Sequence, residues 1–263
     1  MRTGPWLLRA LLVVLVASAA LLFALPLLAV LVSAPWSRLS ELARSAAMHD
    51  AMVLSLCSSL GAVALALLLG LPLAVYLARG NSWLHTAVRV VVTLPIVLPP
   101  ITAGIALLLA FGRNGLLGQF LERYFDLSLP FTTAATVIAA AYMGMPFFVL
   151  SAEAGLRSLD PRYEAAAATL GAGPLRRFCT VVLPSMKPAL RTGLLLCWAR
   201  ALGEFCATQM FAGNLAGETR TLPLLCSVAM EVDPDLAIGL SLLLASTSVL
   251  VLVLLRRSFL PHR

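Results

Sequence analysis

The chain has 263 residues, of which 60% are hydrophobic and only 12% are charged, and its mean hydropathy is +0.96. Soluble domains carry roughly 45–50% apolar and about 25% charged residues, so the composition excludes a soluble enzyme and indicates a membrane chain. The net charge of +7 is not interleaved with aromatics in any polar segment, which excludes a nucleic-acid surface; six spans of about 20 residues each leave no room for an ATPase domain, and no G-x-x-x-x-G-K-[ST] phosphate loop is present.

The first apolar run, 10–32, follows Arg2 and Arg9 and is interrupted only by Ser18 and Pro26. Ala17-Ser18-Ala19 resembles a cleavage site, but the run extends well past a signal-peptide core, so a retained span is expected. Further runs lie at 51–78, 94–111, 132–150, 192–212 and 236–255, each near the length that crosses a hydrocarbon core. An all-α membrane protein of six transmembrane helices follows, as a single unit over 1–263 with both termini on one side.

Charge sets the orientation. If the termini are cytoplasmic, the inner segments hold Arg2, Arg9, Arg79, Arg89, Arg157, Arg162, Arg176, Arg177, Lys187, Arg191, Arg256, Arg257 and Arg263, which is 13 of the 19 basic residues. The outer segments hold Arg38, Arg44, Arg113, Arg123 and Arg220, and the inner acids are Glu153, Asp160 and Glu164. The positive-inside rule therefore predicts an N-in, C-in topology.

The third run carries Leu94-Pro95-Ile96-Val97-Leu98-Pro99-Pro100. Proline lacks an N–H and collides with the preceding turn, so a regular helix is not expected to pass through unbroken. Freed backbone groups at that depth need protein or a wet cavity around them. Two readings stand: a broken element beside a translocation path, built on Pro95, Pro99 and Pro100, or an interfacial helix from Ser82 to Thr93 that ends where the span begins.

The longest inner loop, 152–189, is basic and structured. Asp160-Pro161 is a helix start, the run Tyr163-Glu164-Ala165-Ala166-Ala167-Ala168 has high helix propensity, and Gly171 and Gly173-Pro174 stop it. A helix of two to three turns on the cytoplasmic side is predicted, either lying among the headgroups or projecting from the membrane. In the fifth run Arg200 and Glu204 stand four apart, so they are expected to share one helix face about a turn apart. Intramembrane charges are costly unless paired or wet, so they are expected in the bundle interior, as a gate or as a lock between helices; Arg200 as a direct anion ligand is the weaker reading. Cys57, Cys179, Cys197, Cys206 and Cys226 have no ligand spacing, and no metal site is expected. His49, His85 and His262 read as loop residues, which argues against a haem-bearing redox enzyme.

Glu164-Ala165-Ala166, Gly171, nine residues to Val181, and Leu183-Pro184 resemble the EAA loop of binding-protein-dependent ABC importer permeases. Counted back from Gly171 in the family spacing, the consensus Glu position falls on Ala165, one after Glu164. The proline-rich 94–100 stretch, Phe111-Gly112-Arg113-Asn114-Gly115, Leu129-Pro130-Phe131-Thr132-Thr133, Gly203-Glu204-Phe205, and Thr219-Arg220-Thr221-Leu222-Pro223 are similar to the molybdate and tungstate permease group, close to the sulfate permeases.

The resemblance implies the type I ABC importer permease fold in a bacterial inner membrane. It assigns ATPase coupling to Asp160, Glu164, Ala165, Ala166, Leu170, Gly171, Ala172, Gly173, Leu183 and Pro184. It implies a non-catalytic chain without a cofactor of its own, ATP and Mg being bound by a partner ATPase. The implied partners are a second copy of the chain, two ABC ATPase subunits, a periplasmic or lipid-anchored oxyanion-binding protein, and membrane lipid, with no nucleic acid. The outer acids Glu218, Glu231, Asp233 and Asp235 are expected to be solvated or to face that binding protein. A sulfate or thiosulfate permease is the alternative, and an ion-coupled secondary transporter is the more distant one.

Overall fold

A computed structural model describes residues 5–259, and every regular element among them is helical. In chain order these are α1 (Pro5–Ser33), α2 (Leu39–Arg44), α3 (Ala46–Leu65), α4 (Leu71–Arg79), α5 (Trp83–Val97), α6 (Pro100–Phe111), α7 (Gly118–Phe125), α8 (Thr133–Arg157), α9 (Pro161–Thr169), α10 (Pro174–Arg177), α11 (Leu183–Ser185), α12 (Lys187–Leu202), α13 (Cys206–Phe211), α14 (Leu222–Val232) and α15 (Pro234–Phe259). Wide π turns at Ala66–Gly70 and Phe178–Val182 join α3 to α4 and α10 to α11. Local chemistry sets several starts: the Ser45 hydroxyl accepts the Met48 N–H at the head of α3, and Thr132 accepts Ala135 N–H at the head of α8.

Three stretches of helix among the described residues are long and apolar enough to cross a bilayer: Arg9–Ser33, Ala46–Arg79 and Thr133–Arg157. The expected run at 236–255 lies within the single helix α15, whereas the other two are divided. The run at 94–111 is two helices. Pro95 sits inside α5, and the chain breaks at Leu98, whose backbone is extended, before Pro99 and Pro100 open α6. The run at 192–212 is also two: α12 stops at Leu202 and α13 restarts at Cys206. Arg200 and Glu204 therefore do not share one helix. His49 and His85, read from the sequence as loop residues, lie in α3 and α5. Arg2, His262 and Arg263 fall outside the described residues.

α8 is the centre of the bundle and packs against α3, α4, α5, α12 and α13. Its buried face is built of small residues, among them Ala135, Ala139, Ala140, Gly144, Ala152 and Gly155. In a bilayer the apolar surroundings supply no hydrophobic drive between helices, so close backbone approach and dispersion hold them together. A Cβ on Gly144 would stand 2.8 Å from the Cys197 carbonyl oxygen of α12, and one on Gly155 would collide with the Ala189 methyl. Gly144→Val is accordingly expected to destabilise the folded chain by about 1–3 kcal/mol through overpacking, read as a lowered unfolding midpoint in detergent. An unchanged midpoint would mean that the α8–α12 seam is looser than drawn.

Candidate functional site

The loop after α8 folds as a capped rod. The Asp160 carboxylate accepts the Arg162 N–H at 2.9 Å, and Pro161 takes the first helical position, where no N–H is required. At the other end Ala172 N–H reaches the Ala167 carbonyl (3.1 Å) and Gly171 N–H reaches the Ala168 carbonyl (3.0 Å), with Gly171 at φ +79°. That pair of bonds is the Schellman closure, and the left-handed residue within it favours glycine.

No residue of α9 is buried by the chain itself. Tyr163, Leu170 and Leu175 are exposed to 65%, 88% and 77%, an apolar face on a loop otherwise rich in arginine. Ala165 and Ala166 lie on the same exposed helix, and Gly173 precedes α10. Leu183 and Pro184 open α11 beyond the second π turn, away from α9's own turns, and Leu183 is only partly exposed. Glu164 does not point freely outward: its Oε1 lies 3.4 Å from Arg79 Nη2 at the end of α4. Both side chains are well solvated, so the contact adds little stability.

The second expected group is brought together by two broken helices. Glu204 is 3% exposed, its Oε1 accepts the Ala207 N–H at 2.8 Å, and it thereby caps α13. Arg200 Nη1 stands 2.6 Å from Glu204 Oε2. That approach lies off the hydrogen-bonding direction, so Oε2 has a close counter-charge and no directed donor. α13 packs on α6, where a Cβ on Gly104 would meet the Ala207 Cα at 2.9 Å. Pro99 and Pro100 begin that same α6. Pro95 instead walls an apolar cavity of about 450 Å³ with Tyr142, Met145 and Pro146. The proline break and the charged break are thus joined through the α6–α13 contact, while Pro95 stands on the α8 side.

Asp233 is not a free loop acid. It accepts the Leu236 and Asp235 N–H groups at the head of α15, and Arg38 Nη2 pairs with it at 3.1 Å. The Leu236 N–H, and then Arg38, hold its carboxyl below the usual carboxylate range against partial desolvation.

One cluster escaped the sequence reading. Glu153 of α8, Arg89 of α5 and Arg157 meet around the Leu77 carbonyl of α4. Only the Glu153–Arg157 spacing of four carried a local signal; the Arg89 and Leu77 partners come from distant sequence.

The family model described as binding-protein-dependent transport system inner membrane component matches residues 66–258, a span that includes α9, both broken helices and the Glu153 cluster. The chain is 42% identical over 230 residues to the molybdenum transport system permease protein ModB of Mycobacterium tuberculosis, covering 88% of this chain and 87% of that one. It is 38% identical over 184 residues to the sulfate transport system permease protein CysT of Salmonella typhimurium, covering 70% and 66%. Among solved structures, a bacterial ABC transporter that imports the polysaccharide alginate superposes with a TM-score of 0.71 at 17% identity, over 96% of this chain and 95% of that one, a likeness of fold. The all-helical bundle is therefore a type I ABC importer permease fold, and this chain belongs to the family of binding-protein-dependent transport system inner membrane components.

Proposed function

We propose that the chain is the membrane subunit of an ATP-driven importer of molybdate, with tungstate as the close chemical alternative. In this reading it crosses the membrane six times with both termini cytoplasmic, and α5–α6 and α12–α13 serve as interrupted crossings. Two copies assemble on two ATPase subunits, because each chain carries one α9-like rod. An oxyanion-binding protein delivers the anion to the outer face, and ATP and Mg are held by the ATPase. The chain itself is non-catalytic.

The observation that carries this reading is α9, a helix capped at both ends that buries nothing within its own chain while exposing Leu170 and Tyr163. Such a face needs a partner to cover it, and it lies directly beyond the central helix α8. The anion is inferred from the similarity to ModB over most of the chain. Arg200 and Glu204, with Pro99 and Pro100 reached through the α6–α13 contact, form the gate in this reading, and movement of α9 opens and closes it.

The test is reconstitution of the chain with its ATPase and binding protein, comparing molybdate, tungstate and sulfate as stimulants of ATP hydrolysis and uptake. Molybdate and tungstate are expected to stimulate both, and sulfate neither. The 38% identity to CysT makes sulfate the second reading, and stimulation by sulfate alone would select it. Oxyanion accumulation by this chain alone under an ion gradient would overturn both in favour of a secondary transporter.

A further inference from the structure

Glu153 lies one turn before the end of α8, and its side chain is only 6% exposed. A buried carboxylate needs both a counter-charge and donors for its lone pairs. Arg89 of α5 supplies both: Nη2 is 2.6 Å from Oε1, and Nε lies 3.2 and 3.4 Å from the two oxygens. Arg157 Nε adds a third side, 2.9 Å from Oε1. Both guanidinium groups then direct Nη2 to one further acceptor, the Leu77 carbonyl, at 3.3 Å from Arg89 and 3.0 Å from Arg157. Leu77 lies in the last turn of α4, where carbonyls have no intrahelical donor. A single carboxylate and a single carbonyl therefore hold three helix segments together, through two planar forks that reach both acceptors at once.

These segments are the root of α9. α8 ends at Arg157, and only Ser158, Leu159 and Asp160 separate it from Pro161. α4 ends at Arg79, which contacts Glu164. In the other direction, α5 runs from Arg89 to the break at Leu98, roughly 13 Å of helix.

We propose that Glu153, acting through Arg89 and Arg157, is a positioning residue that locks α4, α5 and α8 into one body, so that displacement of α9 reaches the Leu98–Pro99 break as motion of that body. The proposal rests on the reading of α9 as the ATPase contact. Its physical basis is a charge balance. With Glu153 neutral, as in Glu153→Gln, the two guanidinium groups share only carbonyl dipoles, those of Leu77 and the amide, with no counter-charge between them; they repel each other, and α5 separates from α8.

The experiment uses the full complex with ATPase subunits, with spin labels at Arg162 on α9 and Val90 on α5 in one copy of the chain. Both positions are exposed. In the wild-type background the label distance is expected to be the same in the nucleotide-free and vanadate-trapped states. In Glu153→Gln it is expected to shift or broaden on trapping, and the ATP consumed per anion imported is expected to rise about fivefold or more. Should Glu153→Gln fail to assemble, Arg89→Gln, which keeps the Glu153–Arg157 pair, reads the same distances. A wild-type distance that changes on trapping overturns the lock, as does a neutralised variant with wild-type distances and wild-type coupling. Constant wild-type distances in a complex that does not import anion under ATP would defeat the transport reading and leave the lock standing.

Discussion

Leu170→Asp is expected to abolish ATP-driven uptake by the reconstituted complex, by about 100-fold or more, a loss typical of a central interface anchor. Leu170 is 88% exposed and closes the C-terminal end of α9 next to Gly171. In the proposed docking its burial against the ATPase would contribute about 1.5–3 kcal/mol, and the substituted carboxylate would add a desolvation cost on top. The fold of the chain itself does not use this side chain, so the unfolding midpoint of the isolated protein in detergent should stay where it is. Two measurements check the expectation: copurification of the ATPase with the tagged chain, and uptake into proteoliposomes. Intact copurification with intact uptake would show that the partner docks elsewhere. Gly171→Val provides a milder companion, costing about 1–2 kcal/mol at a left-handed position and loosening the turn that presents Leu170.

α9 was legible because its determinants are local. Asp160 caps a nitrogen two residues away, Pro161 tolerates the first position, and Gly171 closes the last turn, so nothing distant has to be known. The division of the fifth run was illegible for the opposite reason. Leu202-Gly203-Glu204-Phe205 reads as a tolerable stretch of helix, but the Glu204 side chain competes for the Ala207 N–H and starts a new helix there. A break within 94–100 was legible but its place was not: one proline within a membrane helix is accommodated when neighbours cover the freed backbone, as at Pro95, whereas the residue before Pro99-Pro100 is forced out of the helical region. Asp233 was taken for a solvated or partner-facing acid, yet it caps α15 and pairs with Arg38 195 residues away in sequence. The Glu153 cluster joins residues 64 and 80 positions apart; a pattern of hydropathy along the chain carries no information about such pairs.

Glu204 carries the other large expected effect, and its two oxygens allow structure and gating to be separated. Glu204→Ala removes the cap of α13 and leaves Arg200, whose side chain is 28% exposed, without its counter-charge. Breaking a buried pair from one side costs about 3–5 kcal/mol; the partial exposure of Arg200 places this site at the lower end of that range. The variant should therefore unfold at a markedly lower temperature and lose uptake, an outcome that a mere lock between segments also produces. Arg200→Met with Glu204→Gln discriminates. The amide oxygen can still accept from Ala207 N–H, no unpaired charge remains, and replacing a buried pair by neutral groups of similar size is often neutral or stabilising. If the pair only joins α12 to α13, this double variant restores both the unfolding midpoint and uptake. If the pair is the gate, stability returns while ATP hydrolysis no longer depends on the binding protein, because nothing charged remains at the Gly203–Phe205 break to exchange partners as α13 moves on α6. A double variant with wild-type stability, uptake and dependence on the binding protein would remove Arg200 and Glu204 from the gate and leave the break at Leu98–Pro99 as the remaining moving part.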